Sequence, residues 1–178
     1  MAVSPAKKLT YEEWLDFPTE EGVRTELIDG EVWVAMEPTL RHQVVLGRLF
    51  YAIETYIRSH GGGHIALPVN VRLDVDQGFG PDLVFFHEWG DDPLTYHGAP
   101  PWVIEVVSDP RRDLRIKRDR YERYGVAEYW AVLPEAEQVQ IFRMEDRRYG
   151  PPMVYEAGDT VTPGPLPGLA IDLGEIFA

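Results

Sequence analysis

Apolar residues recur along the chain with two spacings, that of one helix face and that of a β-strand. Leu46, Leu49, Ile53 and Tyr56 lie on one helical stripe, and His42 is at its N-terminal end. Other apolar runs are β-prone and are bounded by Gly, Pro or Asp. The predicted elements are, in order, a short helix within 10–17, a hairpin of 23–28 and 31–35, a helix over 39–59, strands over 65–73, 82–86 and 102–107, a helix over 113–124, and strands over 128–133 and 139–144. This order predicts an α/β fold with an α-β-β-β-α-β core.

Local signals support the first helix and the hairpin. Thr10 and Glu13 have the spacing of a capping box ahead of the predicted helix. Asp29-Gly30 is a two-residue loop between two β-prone runs, which is typical of a hairpin. In the register that this loop sets, Glu26 lies opposite Trp33.

Length and composition indicate one domain. A chain of 178 residues can bury a core without disulfides or a structural metal. We expect residues 1–178 to form a single domain, with a core over about 23–144 and a tail over 150–178. The tail is Pro/Gly-rich from Gly150 to Gly168, and that part is expected to form a surface strap. Cysteine is absent, which excludes disulfides and thiolate zinc sites and fits the reducing cytoplasm. No run approaches the roughly 18 apolar residues of a membrane span, so we expect no membrane partner.

Basic residues are concentrated in one segment of an otherwise acidic chain. The formal net charge is −13, which argues against a general nucleic-acid coat protein. Residues 111–124 contain seven basic and three acidic residues, a net +4, so the remaining chain carries −17. Such a segment is either a solvated helix with i,i+4 ion pairs or a surface that binds phosphates. Arg111, Arg115 and Arg118 lie at i, i+4 and i+7 and are candidate nucleic-acid-binding residues, and His42 is a further one.

Three polar residues break the local pattern. Glu105 is the only polar residue of the apolar strand 102–107, and burying its carboxylate requires a compensating cation. Asp82 follows Pro81 at the start of another apolar strand, a position that a simple turn also explains. Lys117 lies on the stripe of its helix that should face the sheet, although a lysine can extend its ammonium from such a position to solvent.

These three residues have complementary chemistry. Mg²⁺ takes oxygen ligands, usually one or two carboxylates together with water and substrate phosphate, and Asp82 and Glu105 fit that requirement. Lys117 could orient or deprotonate the attacking water and counter the charge that develops on the phosphate, while the arginines hold neighbouring phosphates. The predicted cofactor is Mg²⁺, with Mn²⁺ as a substitute.

Three segments in this order resemble the PD-(D/E)XK restriction-endonuclease-like superfamily. They are Pro81-Asp82, the strand 103–108 around Glu105, and the run from Asp113 through Lys117 to Tyr129-Trp130. Within the superfamily, the chain resembles a large bacterial family of poorly characterised putative restriction endonucleases. The resemblance covers about residues 10–134 and implies a restriction-endonuclease-like core and a Mg²⁺-dependent phosphodiesterase site that acts on DNA.

The resemblance also implies roles for individual residues. Asp82 matches the Asp of the PD motif and Glu105 its second acid, while Glu26 matches a further acidic position near the site. Val107 stands where the superfamily has its lysine, and members of the narrower family carry that lysine on the following helix, the position of Lys117. If Lys117 reaches the metal, the catalytic lysine has moved from the strand to the helix. If Lys117 does not reach the metal, the departure indicates that catalysis has been lost.

Three functions are compatible with these observations. The first is a Mg²⁺-dependent DNA endonuclease, expected to be a homodimer because cutting both strands needs two symmetric sites. The second is a catalytically weak DNA-binding or regulatory module on the same fold. The third is a small-molecule hydrolase that uses Glu105 and Asp82 as a general acid and base without metal.

Overall fold

The computed structural model describes residues 7–21, 23–35 and 37–178. Its helical segments are α1 (Tyr11–Leu15), α2 (Leu40–His60), a π-helical turn (Arg112–Lys117), α3 (Arg118–Tyr124) and α4 (Leu173–Phe177). Its strands are β1 (Thr25–Ile28), β2 (Glu31–Val34), β3 (His64–Ala66), β4 (Asn70–Asp74), β5 (Gln77–Phe79), β6 (Leu83–Phe86), β7 (Thr95–His97), β8 (Trp102–Val106), β9 (Glu128–Leu133), β10 (Gln138–Glu145), β11 (Arg148–Tyr149), β12 (Met153–Glu156), β13 (Thr160–Val161) and β14 (Ile171–Asp172).

The larger sheet forms the centre of the fold, with strand order β11-β10-β9-β8-β6-β3 and β12 paired to β10. Strands β8 and β9 are parallel, and their other sheet neighbours are antiparallel. Successive residues of a strand point to opposite faces, so β8 presents Trp102 and Ile104 to α2 and presents Val103 and Glu105 to the other face. Both faces are buried, which explains the nearly uninterrupted apolar sequence of β8.

The smaller sheet and α3 cover the face that contains Glu105. The smaller sheet has the order β2-β1-β5-β4-β7, and Ile28 and Phe79 from it pack with Tyr121 of α3. The predicted hairpin is confirmed, with Glu26 opposite Trp33. The capping box of Thr10 and Glu13 at the start of α1 is also present.

The structure differs from the sequence-based prediction in two elements. The predicted strand 65–73 is two strands, β3 and β4, which belong to different sheets on either side of Pro68. A proline has no N–H for a sheet ladder, so this break is physically reasonable. The predicted helix 113–124 begins as a π-helical turn before it continues as α3.

The C-terminal tail contributes to the core as well as crossing the surface. Its buried apolar residues pack in the cluster formed by α2 and the larger sheet, and they are Val161, Leu166, Leu169, Ile171, Leu173, Ile176 and Phe177. The tail is therefore more than a surface strap. No helix within residues 7–21, 23–35 and 37–178 is both long and apolar enough to span a membrane.

Candidate active site

One narrow cleft brings together the polar residues that break the sequence pattern. Glu26 comes from β1, Asp82 from the residue before β6, Glu105 from β8 and Lys117 from the end of the π-helical turn. His42, from the first turn of α2, lines the same cleft. All five residues are buried. The predicted catalytic residues are thus neighbours although 91 positions separate the first from the last.

The Lys117 ammonium joins two of the carboxylates. Its Nζ donates to Glu105 Oε1 at 2.9 Å and lies 2.7 Å from Glu26 Oε1. Tyr121, one turn further along the helix, donates its hydroxyl to the same Glu105 oxygen at 2.7 Å. Lys117 therefore points into the site and does not extend to solvent.

Asp82 is held from two directions. Its Oδ2 accepts the backbone N–H of Val106 at 2.8 Å and lies 3.2 Å from His42 Nε2. The other ring nitrogen of His42, Nδ1, is buried and has no hydrogen-bond partner among the described residues. His42 is placed beside the Asp82 carboxylate rather than on the open surface.

Arg112 and Asp113 also line the cleft, although neither was among the site residues predicted from the sequence. Asp113 Oδ2 accepts the backbone N–H groups of Ser108 and Asp109, each at 3.1 Å, and Arg112 Nε donates to Asp113 Oδ1 at 3.2 Å. Asp113 Oδ1 is 4.0 Å from Lys117 Nζ. Asp113 and Lys117 are i and i+4 in sequence, so helical spacing alone would have placed the aspartate beside the lysine.

Burial and charge together set the protonation of the site. Burial, reinforced by the nearby Asp82 and Glu26, raises the pKa of Glu105 to about 8, although Lys117 acts in the opposite direction. Burial by itself would lower the pKa of Lys117, but Glu105 and Glu26 raise it above its ordinary value. At neutral pH the lysine is therefore the charged member of the group, and the Glu105 carboxylate is the member that is costly to ionise.

The predicted phosphate-binding arginines are Arg111, Arg115 and Arg118, which we call the basic stripe. They are not equally exposed. Arg111 and Arg115 are exposed, and neither forms an ion pair with the described residues. Arg118 is half-buried, pairs with Asp119 and has its guanidinium 5.9 Å from the centre of the Phe142 ring. Arg120 instead binds Asp29, with Nε 2.9 Å from Oδ1, and thereby joins α3 to the hairpin turn.

The sequence profile of the Uma2 family, described as putative restriction endonucleases, matches residues 10–174. The chain belongs to this family. The resemblance noted in the sequence is thereby confirmed, and it extends past residue 134 into the tail.

A solved structure shows the same fold as this Uma2-family chain. It is the crystal structure of a putative nuclease belonging to DUF820 from Anabaena variabilis ATCC 29413, with 18% identity and a TM-score of 0.80. The match covers 95% of this chain and 97% of the Anabaena chain. It confirms the α/β fold predicted from the order of elements and, together with the family match, the restriction-endonuclease-like core that the resemblance implied. No curated protein is significantly similar to the chain.

The carboxylates of the Uma2-family site fit a divalent cation bound by few protein ligands. Asp82 Oδ1 and Glu105 Oε2 accept no hydrogen bond from the residues that the structure describes. Within those residues, no three His, Asp or Glu side chains are placed to ligate one ion together. Mg²⁺ commonly binds through one or two carboxylates with water and phosphate as its other ligands, so the pair Asp82 and Glu105 suits it.

Proposed function

We propose that this chain is a Mg²⁺-dependent endonuclease that hydrolyses phosphodiester bonds of DNA. Membership of a family described as putative restriction endonucleases supports nuclease activity in general terms. The identity of the metal, the DNA substrate and the residue roles are our proposals.

One observation carries the proposal. A buried lysine and four buried acids line one cleft, and these acids are Glu26, Asp82, Glu105 and Asp113. Burying several charges together destabilises a fold unless their contacts offset the cost, and such arrangements are concentrated at functional sites. A purely structural ion pair would need one carboxylate for Lys117, whereas two contact it directly.

The side chains of the cleft have distinct roles in this proposal. Asp82 and Glu105 would hold the Mg²⁺ ion, with Mn²⁺ as a substitute, and the ion would supply activation of water and neutralisation of phosphate charge. Lys117 holds its proton because its pKa is raised, so it acts as a fixed cation near the scissile phosphate rather than as a base. Tyr121 and Glu26 keep Glu105 and Lys117 in place through direct contacts.

DNA would approach along the exposed side of the π-helical turn. Arg111 and Arg115 are exposed, so both are able to contact backbone phosphates. Such contacts position the strand but do not read its sequence, so the proposal does not require a specific recognition site.

A plasmid-nicking assay tests the function. The wild-type chain should convert supercoiled plasmid to nicked or linear DNA in Mg²⁺ or Mn²⁺ and not in EDTA. Glu105→Gln and Asp82→Asn should each lose the activity while retaining cooperative unfolding. Glu88→Gln, which changes an exposed acid outside the cleft, is the matched control and should cut like the wild type. Equal cleavage by all four proteins in EDTA would contradict the proposal.

A second function is favoured by one feature of the site. The ion pair between Lys117 and Glu105 is complete without a metal, as expected for a DNA-binding or regulatory module that keeps the fold but not the catalysis. This alternative predicts DNA binding through the basic stripe, no metal-dependent cleavage and no stabilisation by Mg²⁺. A metal-free acid-base hydrolase is less favoured because Lys117 engages Glu105 directly.

Three further properties complete the proposal. We propose that residues 1–178 act as one domain, that two copies form a homodimer so that both DNA strands are cut, and that the protein works in the cytoplasm. Sedimentation with and without a DNA duplex would test the dimer.

A further inference from the structure

A second cleft opens directly beside the candidate active site. Its volume is about 260 Å³, and we call it the side cleft. The residues found only in it are Trp14, Leu15, Phe17, Thr19, Thr25 and Asn70. It shares Arg24, Glu26, Ala35 and Gly80 with the cleft that contains Asp82, Glu105 and Lys117. A molecule that occupies one cleft is therefore adjacent to whatever occupies the other.

We propose that the side cleft binds one unpaired nucleobase of the DNA strand whose phosphate lies at the active site. The inference rests on the proposed nuclease function and narrows its substrate class. It implies that the preferred DNA has an unpaired or readily extruded nucleotide next to the bond that is cut, because a base inside a duplex cannot reach a side pocket.

The apolar lining of the side cleft suits the face of a base. Phe17 is 41% exposed and offers a ring on which a base can stack. Trp14 is fixed in the wall, since its Nε1 donates to Thr25 Oγ1 at 3.0 Å and its ring packs edge-on to Tyr11 at 5.3 Å. Phe17 thus supplies the accessible ring, and the buried Trp14 supplies a fixed part of the wall that needs little ordering on binding.

The polar lining suits the edge of a base. Asn70 and Thr19 make no side-chain hydrogen bond with the described residues, so both remain able to contact a ligand. Glu26 also lines the side cleft, and amino groups of bases are donors for a carboxylate oxygen. Arg24 lines both clefts and donates to Gly80 O at 3.1 Å. Its guanidinium therefore lies where the DNA backbone would pass from the active-site cleft to the side cleft.

Fluorescence anisotropy with labelled DNA in EDTA tests the inference without cleavage. Three probes of equal length are compared: a fully paired duplex, the same duplex with one bulged nucleotide, and that bulge with an abasic residue. The wild-type chain should bind the bulged probe about tenfold more tightly than the paired one, as stacking of one base predicts. The abasic probe should lose most of that gain.

Phe17→Ala provides the matching test on the protein side. This variant should bind the three probes alike, because the accessible ring is removed while the buried Trp14 remains. Tyr51→Ala is the control, since Tyr51 is a 73% exposed aromatic residue on α2 that does not line the side cleft, and it should keep the wild-type order of affinities.

The outcomes separate this inference from the proposed nuclease function. Equal affinity of the wild type for all three probes would overturn the base-binding cleft, and so would equal affinity for the bulged and abasic probes, which would indicate recognition of a flexible backbone only. Cleavage in Mg²⁺ without any preference for the bulge would leave the nuclease proposal intact and remove this one. A base-dependent preference that Phe17→Ala abolishes, in a chain that never cuts, would support the cleft and refute the nuclease.

Discussion

At the scale of single residues, a substitution can separate the ion pairs that Lys117 forms from the catalytic role that we propose for it. Its ammonium neutralises part of the negative charge around Glu105 and Glu26, and it is the buried cation nearest to both of them. A metal ion bound by Glu105 would compete with this contact for the same carboxylate.

We predict that Lys117→Met removes cleavage but not metal binding. Loss of a fixed positive group near the phosphate should reduce nicking by at least about 100-fold. The metal-free variant should melt at a lower temperature, because removing one partner of a buried ion pair leaves charge uncompensated. The rise in melting temperature on adding Mg²⁺ should be at least as large as in the wild type, since the competing ammonium is gone. Wild-type rates of nicking would refute the catalytic role.

His42 is predicted to act through Asp82. Partners that hold a metal ligand typically change metal affinity by about 10- to 100-fold when removed, and His42 Nε2 is 3.2 Å from Asp82 Oδ2. His42→Ala should therefore raise the Mg²⁺ concentration needed for half-maximal nicking by about that factor. DNA affinity in EDTA, measured by anisotropy, should stay unchanged. A loss of DNA affinity with an unchanged metal requirement would indicate direct DNA contact instead.

At the scale of elements, the sequence indicated the site more clearly than it indicated the sheets. Glu105 and Lys117 were detectable because a carboxylate in an apolar strand and a lysine on an inward helix face conflict with local rules. Arg112 was not detectable, because an arginine in a segment that is already rich in basic residues does not conflict with any local rule. Strand β5 and strand β7 were missed because each has three residues, too few to show a spacing.

The π-helical turn and α3 together form the proposed phosphate-binding face. Arg115→Gln should weaken DNA binding to a similar extent for all sequences and reduce the salt dependence of the affinity. Arg118→Gln should have a smaller effect, because Arg118 already pairs with Asp119 and lies over Phe142. Anisotropy measured over a range of salt concentrations gives both quantities.

Arg58→Gln is the matched control for these arginines. Arg58 is exposed and lies sixteen residues after His42 on α2, about 24 Å along the helix. This variant should show the wild-type salt slope. If Arg115→Gln behaves like Arg58→Gln, the basic stripe is a solvated helix face.

At the scale of the whole molecule, the tail is expected to be required for folding. It supplies seven buried apolar residues to the core between α2 and the larger sheet. A chain that ends at residue 149 should therefore lose its cooperative thermal transition, and Phe177→Ala alone should cost about 3–5 kcal/mol of stability. A truncated chain that melts like the full-length protein would show that the tail is a dispensable strap.

The net charge of the site also affects the stability of the whole fold. Four buried carboxylates, those of Glu26, Asp82, Glu105 and Asp113, surround two fixed cations, Arg112 and Lys117, which leaves an excess of negative charge when all are ionised. Like charges held together destabilise a fold, and function is a reason for retaining them. A divalent cation would remove the excess.

We therefore predict opposite effects of substitution without and with metal. Asp82→Asn and Glu105→Gln should be no less stable than the wild type in EDTA. Asp82→Asn keeps an oxygen acceptor and loses a charge, and Glu105→Gln replaces a carboxyl group that is costly to ionise because burial raises its pKa to about 8. Mg²⁺ at 100 times its dissociation constant should stabilise the wild type by about 2.7 kcal/mol, and both variants should lose most of that gain. Calorimetric melting in EDTA and in Mg²⁺ measures both effects. If both variants are strongly destabilised in EDTA and the wild type does not respond to divalent ions, Glu105 is a structural partner of Lys117 and the DNA-binding module is the better description.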